Sequence, residues 1–257
     1  MADRPILVAH RGFAGEHPEN TVAAMRAAAS AADSVELDVM PTADGDVVVF
    51  HDARLHAEGT SRGMTDATGV VWETPTEQVL AAGVRDSGET VPTLSAVVDA
   101  VPRSVTLDVE LKNPGTFDVR PGESLPVDAR AEARRRWQPF VDATRSALAD
   151  APHDVRFSSF CEGALAAVRH RDPDASLAVL CRDAATGLAL AERYDADAVH
   201  PELSLLDGDL VQRAHDANRR VHVWTVRTAD QAARARDAGV DGLIADSPFS
   251  SVDAKSG

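Results

Sequence analysis

Eight short apolar runs, at 6–9, 34–39, 105–111, 155–159, 176–180, 196–199, 220–226 and 242–245, are separated by longer stretches of helical period. This alternation constrains the fold more than any other feature of the chain. Strands that alternate with helices build parallel sheets, because a parallel connection has to cross back over the sheet. Eight such units predict an α/β fold, a closed (β/α)8 TIM barrel, and 257 residues is the ordinary length of one such domain.

Local signals mark where the units begin and end. The alanine-rich stretch 22–32 follows Pro18-Glu19-Asn20-Thr21, and 210–217 follows Asp207; each offers a side-chain acceptor to the free N–H groups of a first helical turn. Gly239, after 232–238, is a candidate left-handed C-terminal residue, and Pro248 helps to stop the last strand. Thr42-Ala43-Asp44-Gly45-Asp46 and the run 47–50 predict a hairpin appended to the second barrel strand. Residues 52–93 are rich in Gly, Thr and Asp, with one short helical piece at 75–82. They are expected to be a small insertion over one face of a single domain spanning 1–257. Residues 113–128 read as a loop before an Arg-rich helix at 129–150.

Composition narrows the partners. With 44% apolar and 26% charged residues the chain can bury a globular core. A net charge of −15 repels polyanions, so nucleic acid is not an expected partner. Lys112 and Lys255 are the only lysines, and aspartate outnumbers glutamate 28 to 13, a bias expected of an acidic, halophilic surface, to which an arginine- and alanine-rich proteome from a high-GC genome would also contribute. Cys161 and Cys181 lack C-x-x-C spacing and read as buried thiols. The beginning of the chain shows no apolar targeting run, and nowhere are there 18 consecutive apolar residues. A cytoplasmic protein without stable membrane insertion is the expectation; oligomeric state leaves no signal.

His10-Arg11-Gly12 stands where the first strand ends, and barrel active sites lie at the C-terminal ends of strands. The arginine can fork onto a phosphate or carboxylate, and the glycine lets the backbone approach it. Glu36 and Asp38 are two apart on a strand and so point the same way, into the barrel, while Leu37 and Val39 face the covering helices. The next barrel run repeats the pattern: Asp108, Glu110 and Lys112 share one side, and Leu107, Val109 and Leu111 the other. Glu36, Asp38 and Glu110 together make a hard oxygen site suited to Mg²⁺, Ca²⁺ or Mn²⁺. The alternative is an ion-pair network with arginines, in which uncompensated acids cost several kcal/mol. Lys112 is expected to aim a compact charge at an anion, with an ordinary salt bridge as its alternative. His51-Asp52 ends the returning strand and brings a second imidazole to the same mouth. Two imidazoles there supply an acid and a base near neutral pH. His17, His56, His153, His170, His215 and His222 read as surface or structural residues.

Taken in order, His10-Arg11-Gly12, Pro18-Glu19-Asn20-Thr21, Glu36-Leu37-Asp38-Val39, Thr42 with Asp44-Gly45, His51-Asp52, Pro92-Thr93-Leu94, Glu110-Leu111-Lys112, Ser159-Phe160, Trp224-Thr225-Val226, and Val240-Asp241-Gly242 with Asp246 and Pro248 span nearly the whole chain. In this order they resemble the glycerophosphodiester phosphodiesterase family, phosphodiesterases built on a phospholipase-C-like TIM barrel. The resemblance implies metal-dependent hydrolysis of a small glycerophosphodiester to an alcohol and glycerol 3-phosphate. It implies one divalent cation, Mg²⁺ or Ca²⁺ with Mn²⁺ also fitting, held by Glu36, Asp38 and Glu110. His10 and His51 would be the acid and base, and Arg11 and Lys112 would hold the phosphate. Phe160 and Trp224 would offer apolar contacts to the glycerol end, although aromatic residues at strand ends also seal barrels. The 52–93 insertion would be the family's small subdomain beside the mouth.

The chain departs from the family pattern in three places. Ala245 stands where the family often shows Thr, Asp108 where a neutral residue is commoner, and the 113–128 loop matches nothing specific. Asp108 either tunes the charge of the metal site or pairs with a core arginine. Two other functions fit the same residues: another phosphodiesterase or cyclising lyase on this barrel, and a non-catalytic polyol-phosphate-binding module. The natural marker of the second would be loss of one histidine, and both are present.

Overall fold

The computed structural model describes residues 4–249. In chain order its strands are β1 (Ile6–His10), β2 (Ser34–Pro41), β3 (Val47–Val49), β4 (Ala57–Glu58), β5 (Ser61–Arg62), β6 (Thr106–Leu111), β7 (Val155–Ser159), β8 (Ser176–Cys181), β9 (Ala198–Pro201), β10 (Arg220–Val226) and β11 (Gly242–Ala245). Its α-helices are α1 (Val22–Ala28), α2 (Thr76–Leu80), α3 (Leu94–Ala100), α4 (Val127–Ala147), α5 (Glu162–Arg171), α6 (Ala184–Arg193), α7 (Leu210–Asp216) and α8 (Ala229–Asp237). β1 pairs in parallel with both β2 and β11, and that double pairing closes eight strands into the expected barrel. The hairpin strand β3 pairs antiparallel with β2 outside the parallel ring.

The barrel holds together through the alternation that the sequence displays. Val35, Leu37 and Val39 on β2 and Leu107, Val109 and Leu111 on β6 are buried in one cluster with Met25 of α1, Val97 of α3 and Phe140 and Val141 of α4. Leu37 is fully buried, and truncating such a side chain to Ala costs about 2–5 kcal/mol. The opposite side chains of the same strands are therefore polar residues enclosed by the ring.

Helix boundaries differ from the sequence reading where the chain has to rejoin the sheet. α1 stops at Ala28 instead of 32, because the Asp33 N–H donates to the Leu7 carbonyl at 2.9 Å and its carboxylate accepts from the Leu7 N–H at 2.8 Å. Those bonds start β2. Thr21 caps α1 as expected, accepting from the Ala24 N–H at 3.1 Å, and Gly239 takes φ +78° behind α8. The side chain of Asp207, the expected cap of α7, lies outside the described residues; the backbone of residue 207 ends a 3₁₀ turn, and α7 starts after Asp209, which makes no side-chain capping bond. α3 has no counterpart in the sequence reading. Thr93 caps it, and Leu94, Val97 and Val98 bury one of its faces.

Between β3 and α3 the chain makes the β4–β5 hairpin, a 3₁₀ turn at Val71–Glu73 and α2. These pack around a second apolar cluster that includes Met40, Val48, Phe50, Leu55, Val71 and Val79. Among the described residues no helix is long and apolar enough to cross a membrane. Cys161 and Cys181 are buried free thiols, pushed up to about 12 by burial.

Candidate active site

The strand registers assemble the site. His10 stands level with Glu36 across the β1–β2 pair, and Asp38 level with Glu110 across β2–β6. One oxygen from each of Glu36, Asp38 and Glu110 lies within 4.8 Å of the others, and all three residues are buried. Burial, then the charges of Asp38 and Glu110, pushes the Glu36 carboxyl well above its ordinary range. Burial pushes Glu110 up to about 7 against the pull of Lys112. Burial acts in the same direction on Asp38, but Arg11 and Lys112 overcome it and hold that carboxyl well below the usual range.

Three buried acids thus face two cations, and the two glutamates respond to the excess charge by holding protons more tightly. Glu36 Oε1 and Asp38 Oδ1 also have no hydrogen-bond partner. Carboxylate oxygens without a hydrogen bond, in a set of three hard donors, fit a divalent cation, whose charge would take the place of those protons.

The cations come from the strand ends. After β1 the chain turns left-handed, with φ +52° at Arg11 and +77° at Gly12. The turn directs the Arg11 N–H to Glu36 Oε2 at 3.0 Å, and the side chain places Nε 3.1 Å from Asp38 Oδ2 and Nη1 3.0 Å from Glu19 Oε1. Lys112 Nζ lies 2.7 Å from Glu110 Oε1 and 3.4 Å from Asp38 Oδ1. Gly12 also has a packing role. A Cβ there would lie 2.9 Å from Ala24, so the glycine lets α1 seat against the end of β1.

Both histidines are held by carboxylates. His10 Nδ1 is 2.6 Å from Asp246 Oδ1, and His51 Nδ1 is 2.6 Å from Asp52 Oδ1. Each contact fixes the proton on Nδ1 and leaves Nε2 to exchange one. Burial lowers both imidazoles, His51 to about 4, with Lys112 adding to the effect there. Both rings therefore give up their second proton more readily than a free imidazole does.

His10, Arg11, Glu36, His51, Glu110 and Lys112 line one cavity of about 150 Å³, and Phe160 and Trp224 line it too. The two aromatic rings meet edge to face with centroids 5.4 Å apart, and the Arg182 guanidinium lies 4.6 Å from the Phe160 ring and 5.1 Å from the Trp224 ring. Trp224 Nε1 donates to the His200 carbonyl at 2.7 Å. The structure thus brings every sequence-predicted site residue except Asp38 to the cavity wall, and Asp38 sits fully buried behind it.

Several residues at the site had no sequence-level assignment. Arg182, His200 and Arg227 line the cavity, Asp246 partners His10, and Asn20 Nδ2 donates to Asp38 Oδ2 at 2.8 Å. Thr21 alone supplies the cap of α1, which leaves Glu19 and Asn20 without a helical role, and that surplus is the signal that could have found them.

Asp108, one step below Glu110, resolves to one of its two expectations. Arg156 Nη1 lies 3.4 Å from its Oδ2 and 3.3 Å from His222 Nδ1, so Asp108 pairs with a core arginine. His200 and His222 stack at 4.9 Å beside it, and burial holds both well below the ordinary range for histidine. Asp108, His200 and His222 also converge within 4.8 Å, but Arg156 already balances the single acid. The carboxylate trio has the surplus negative charge that a cation needs, and this second group has none.

Residues 10–249 match the profile of the Glycerophosphoryl diester phosphodiesterase family. A glycerophosphodiester phosphodiesterase of Caldanaerobacter subterraneus subsp. tengcongensis is 28% identical over 257 residues, covering 95% of each chain. A probable glycerophosphodiester phosphodiesterase 1 of Mycobacterium tuberculosis is 30% identical, covering 93% of this chain and 88% of its own length. Among solved structures, an Oleispira antarctica phosphodiesterase in complex with the product sn-glycerol-3-phosphate superposes with a TM-score of 0.78 at 25% identity, over 95% of this chain and 94% of that one. The family profile covers nearly all of the barrel and both histidine motifs, and the chain belongs to the glycerophosphoryl diester phosphodiesterase family.

Proposed function

We propose that this protein hydrolyses glycerophosphodiesters to an alcohol and sn-glycerol 3-phosphate, with a divalent cation at Glu36, Asp38 and Glu110 and with His10 and His51 as acid and base. One observation carries the reading. Two histidines, each fixed at Nδ1 by a carboxylate, share a cavity with Glu36 and Glu110 of the three-carboxylate group that a cation fits. Names of relatives support the substrate class, and the solved complex with sn-glycerol-3-phosphate supports the product.

A divalent cation there would polarise a phosphoryl oxygen and offset its charge. The protein's own groups do the rest. Arg11 and Lys112 hold the phosphate and balance the charge that grows on its oxygens in the transition state. One histidine takes the proton from the attacking oxygen through Nε2, and the other, entering the step as an imidazolium with a proton on each ring nitrogen, gives its Nε2 proton to the departing alkoxide. Phe160 and Trp224 give the carbon atoms of the glycerol end an apolar wall. The insertion at 52–93 belongs to the same catalytic unit, since His51-Asp52 stands at its root.

An acidic surface repels an anionic substrate, but at 1 M salt the Debye length is about 3 Å and distant charges are hidden. Turnover is therefore expected to be faster in molar KCl. The test incubates the protein with glycerophosphocholine or glycerophosphoethanolamine and Mg²⁺, Ca²⁺ or Mn²⁺, and identifies products by phosphorus NMR. Glycerol 3-phosphate supports the reading. A cyclic glycerol phosphate as the final product would assign a cyclising lyase, and binding without turnover a polyol-phosphate module.

A further inference from the structure

We infer that Arg62, on the insertion and not on the barrel, is a positioning residue that holds His51 and Arg11 in mutual register through the carboxylates beside them. The inference rests on the roles of His51 and Arg11 in the proposed function. Its basis is one guanidinium shared between two acids. The Arg62 N–H donates to Asp52 Oδ2 at 2.6 Å, and its Nε and Nη2 donate to Asp52 Oδ1 at 3.2 and 3.0 Å. The same side chain donates from Nη1 and Nη2 to Glu19 Oε2 and Oε1 at 2.8 and 2.7 Å. Asp52 then contacts His51, and Glu19 accepts from Arg11.

The Arg62 side chain is itself exposed, and the constraint comes from the two acids it joins. The Asp52 side chain is 2% exposed and that of Glu19 12%, so neither acid is free to drift toward water. A guanidinium is planar, and a fork that engages two carboxylates fixes the distance between them. The loop that presents it is tight as well: Gly63 has φ +67°, and a Cβ there would lie 2.7 Å from the Ala57 nitrogen. Arg62 itself does not line the cavity, so it acts through its two partners.

The test measures kcat and KM for a glycerophosphodiester, and binding of sn-glycerol 3-phosphate by calorimetry, in wild type, R62A, R62K, E19Q and R62A/E19Q. Loss of such an outer contact is expected to lower kcat/KM by roughly 10–100-fold in R62A, with kcat down through His51, KM up through Arg11 and product binding weakened. E19Q should act mainly on KM, and R62A added to E19Q should raise KM no further. R62K keeps a charge but lacks the fork, so it should recover only part of the loss. The inference is overturned by R62K and a folded R62A both within two-fold of wild type in kcat and KM. It is also overturned if the KM effects of R62A and E19Q multiply. Should R62A fail to fold, R62K decides alone. An inactive wild type would count against the proposed function, and product binding would still test the link to Arg11.

Discussion

The Nδ1 atom of His10 lies 2.6 Å from Oδ1 of Asp246, a contact that ties the end of the first barrel strand to the residue just after the last. Arg227 Nε holds the other oxygen of Asp246 at 2.8 Å. An imidazole placed this way keeps one tautomer, so replacing the acid should disturb catalysis almost as surely as replacing the base. His10→Ala is expected to lower kcat by about 10²–10⁴-fold. Asp246→Asn, which keeps the size and loses the charge, should cost about 10–100-fold. Steady-state kinetics check both, and an Asp246→Asn enzyme at wild-type rate would show that the contact is ornamental.

Binding of a divalent cation should release protons. Glu36 and Glu110 have raised pKa values, Glu110 at about 7, so below that pH the metal-free site holds protons that a cation must displace. Affinity should therefore climb as pH rises through the range in which Glu110 and Glu36 give up their protons. Calorimetry at pH 6 in two buffers of different ionisation enthalpy reads the release directly. Equal heats in the two buffers would contradict the protonated state assigned to these glutamates.

Asp108 should matter for stability and little for metal. Its partner Arg156 is largely buried, and breaking a buried pair by removing one charge costs about 3–5 kcal/mol. Asp108→Asn should lower the denaturation midpoint accordingly while leaving cation affinity within a few-fold of wild type. Asp108→Leu with Arg156→Leu should recover much of the stability. Loss of cation binding at wild-type stability would instead return Asp108 to the metal site.

Stability should fall in mild acid. His200 and His222 are neutral in the fold, with pKa values well below the 6.5 of an ordinary histidine, and His10 and His51 are lowered too. As pH drops below about 6.5 the unfolded chain binds protons that the folded chain refuses, so stability is lost with falling pH, by about 1.4 kcal/mol for each unit of difference per group. Glu36 and Glu110 act in the opposite sense, two groups against four. A Tm that declines between pH 7 and 5 is expected of the metal-free protein, and a rising one would contradict the neutral core.

The strand runs were legible because a β-strand enclosed by helices writes its two faces into alternate residues. Glu36 and Asp38 against Leu37 and Val39 are the clearest case, and the registers with Asp108 and Glu110 followed from it. α3 was not legible, because the long insertion before it hid the second unit's helix behind irregular text. Asp246 and Arg62 were invisible as partners, since their contacts reach across 236 residues to His10 and 43 to Glu19. Local pattern carries no information about such distances. The packing role of Gly12 was equally hidden, since the Ala24 backbone that a Cβ would meet at 2.9 Å lies on the following helix.

In the proposed function a metal at the carboxylate trio and the two histidines act on one phosphodiester. The most direct measurement is the initial rate of glycerol 3-phosphate release after chelation and stepwise return of Mg²⁺, Ca²⁺ or Mn²⁺, for wild type, His10→Ala, His51→Ala and Glu110→Ala. The wild-type rate should vanish with chelator and return with one of the ions. The histidine variants should bind the ion but turn over about 10²–10⁴-fold more slowly, and Glu110→Ala should need far more ion. Full activity in chelator, or undiminished rates in both histidine variants, would rule out this joint action of metal and histidines.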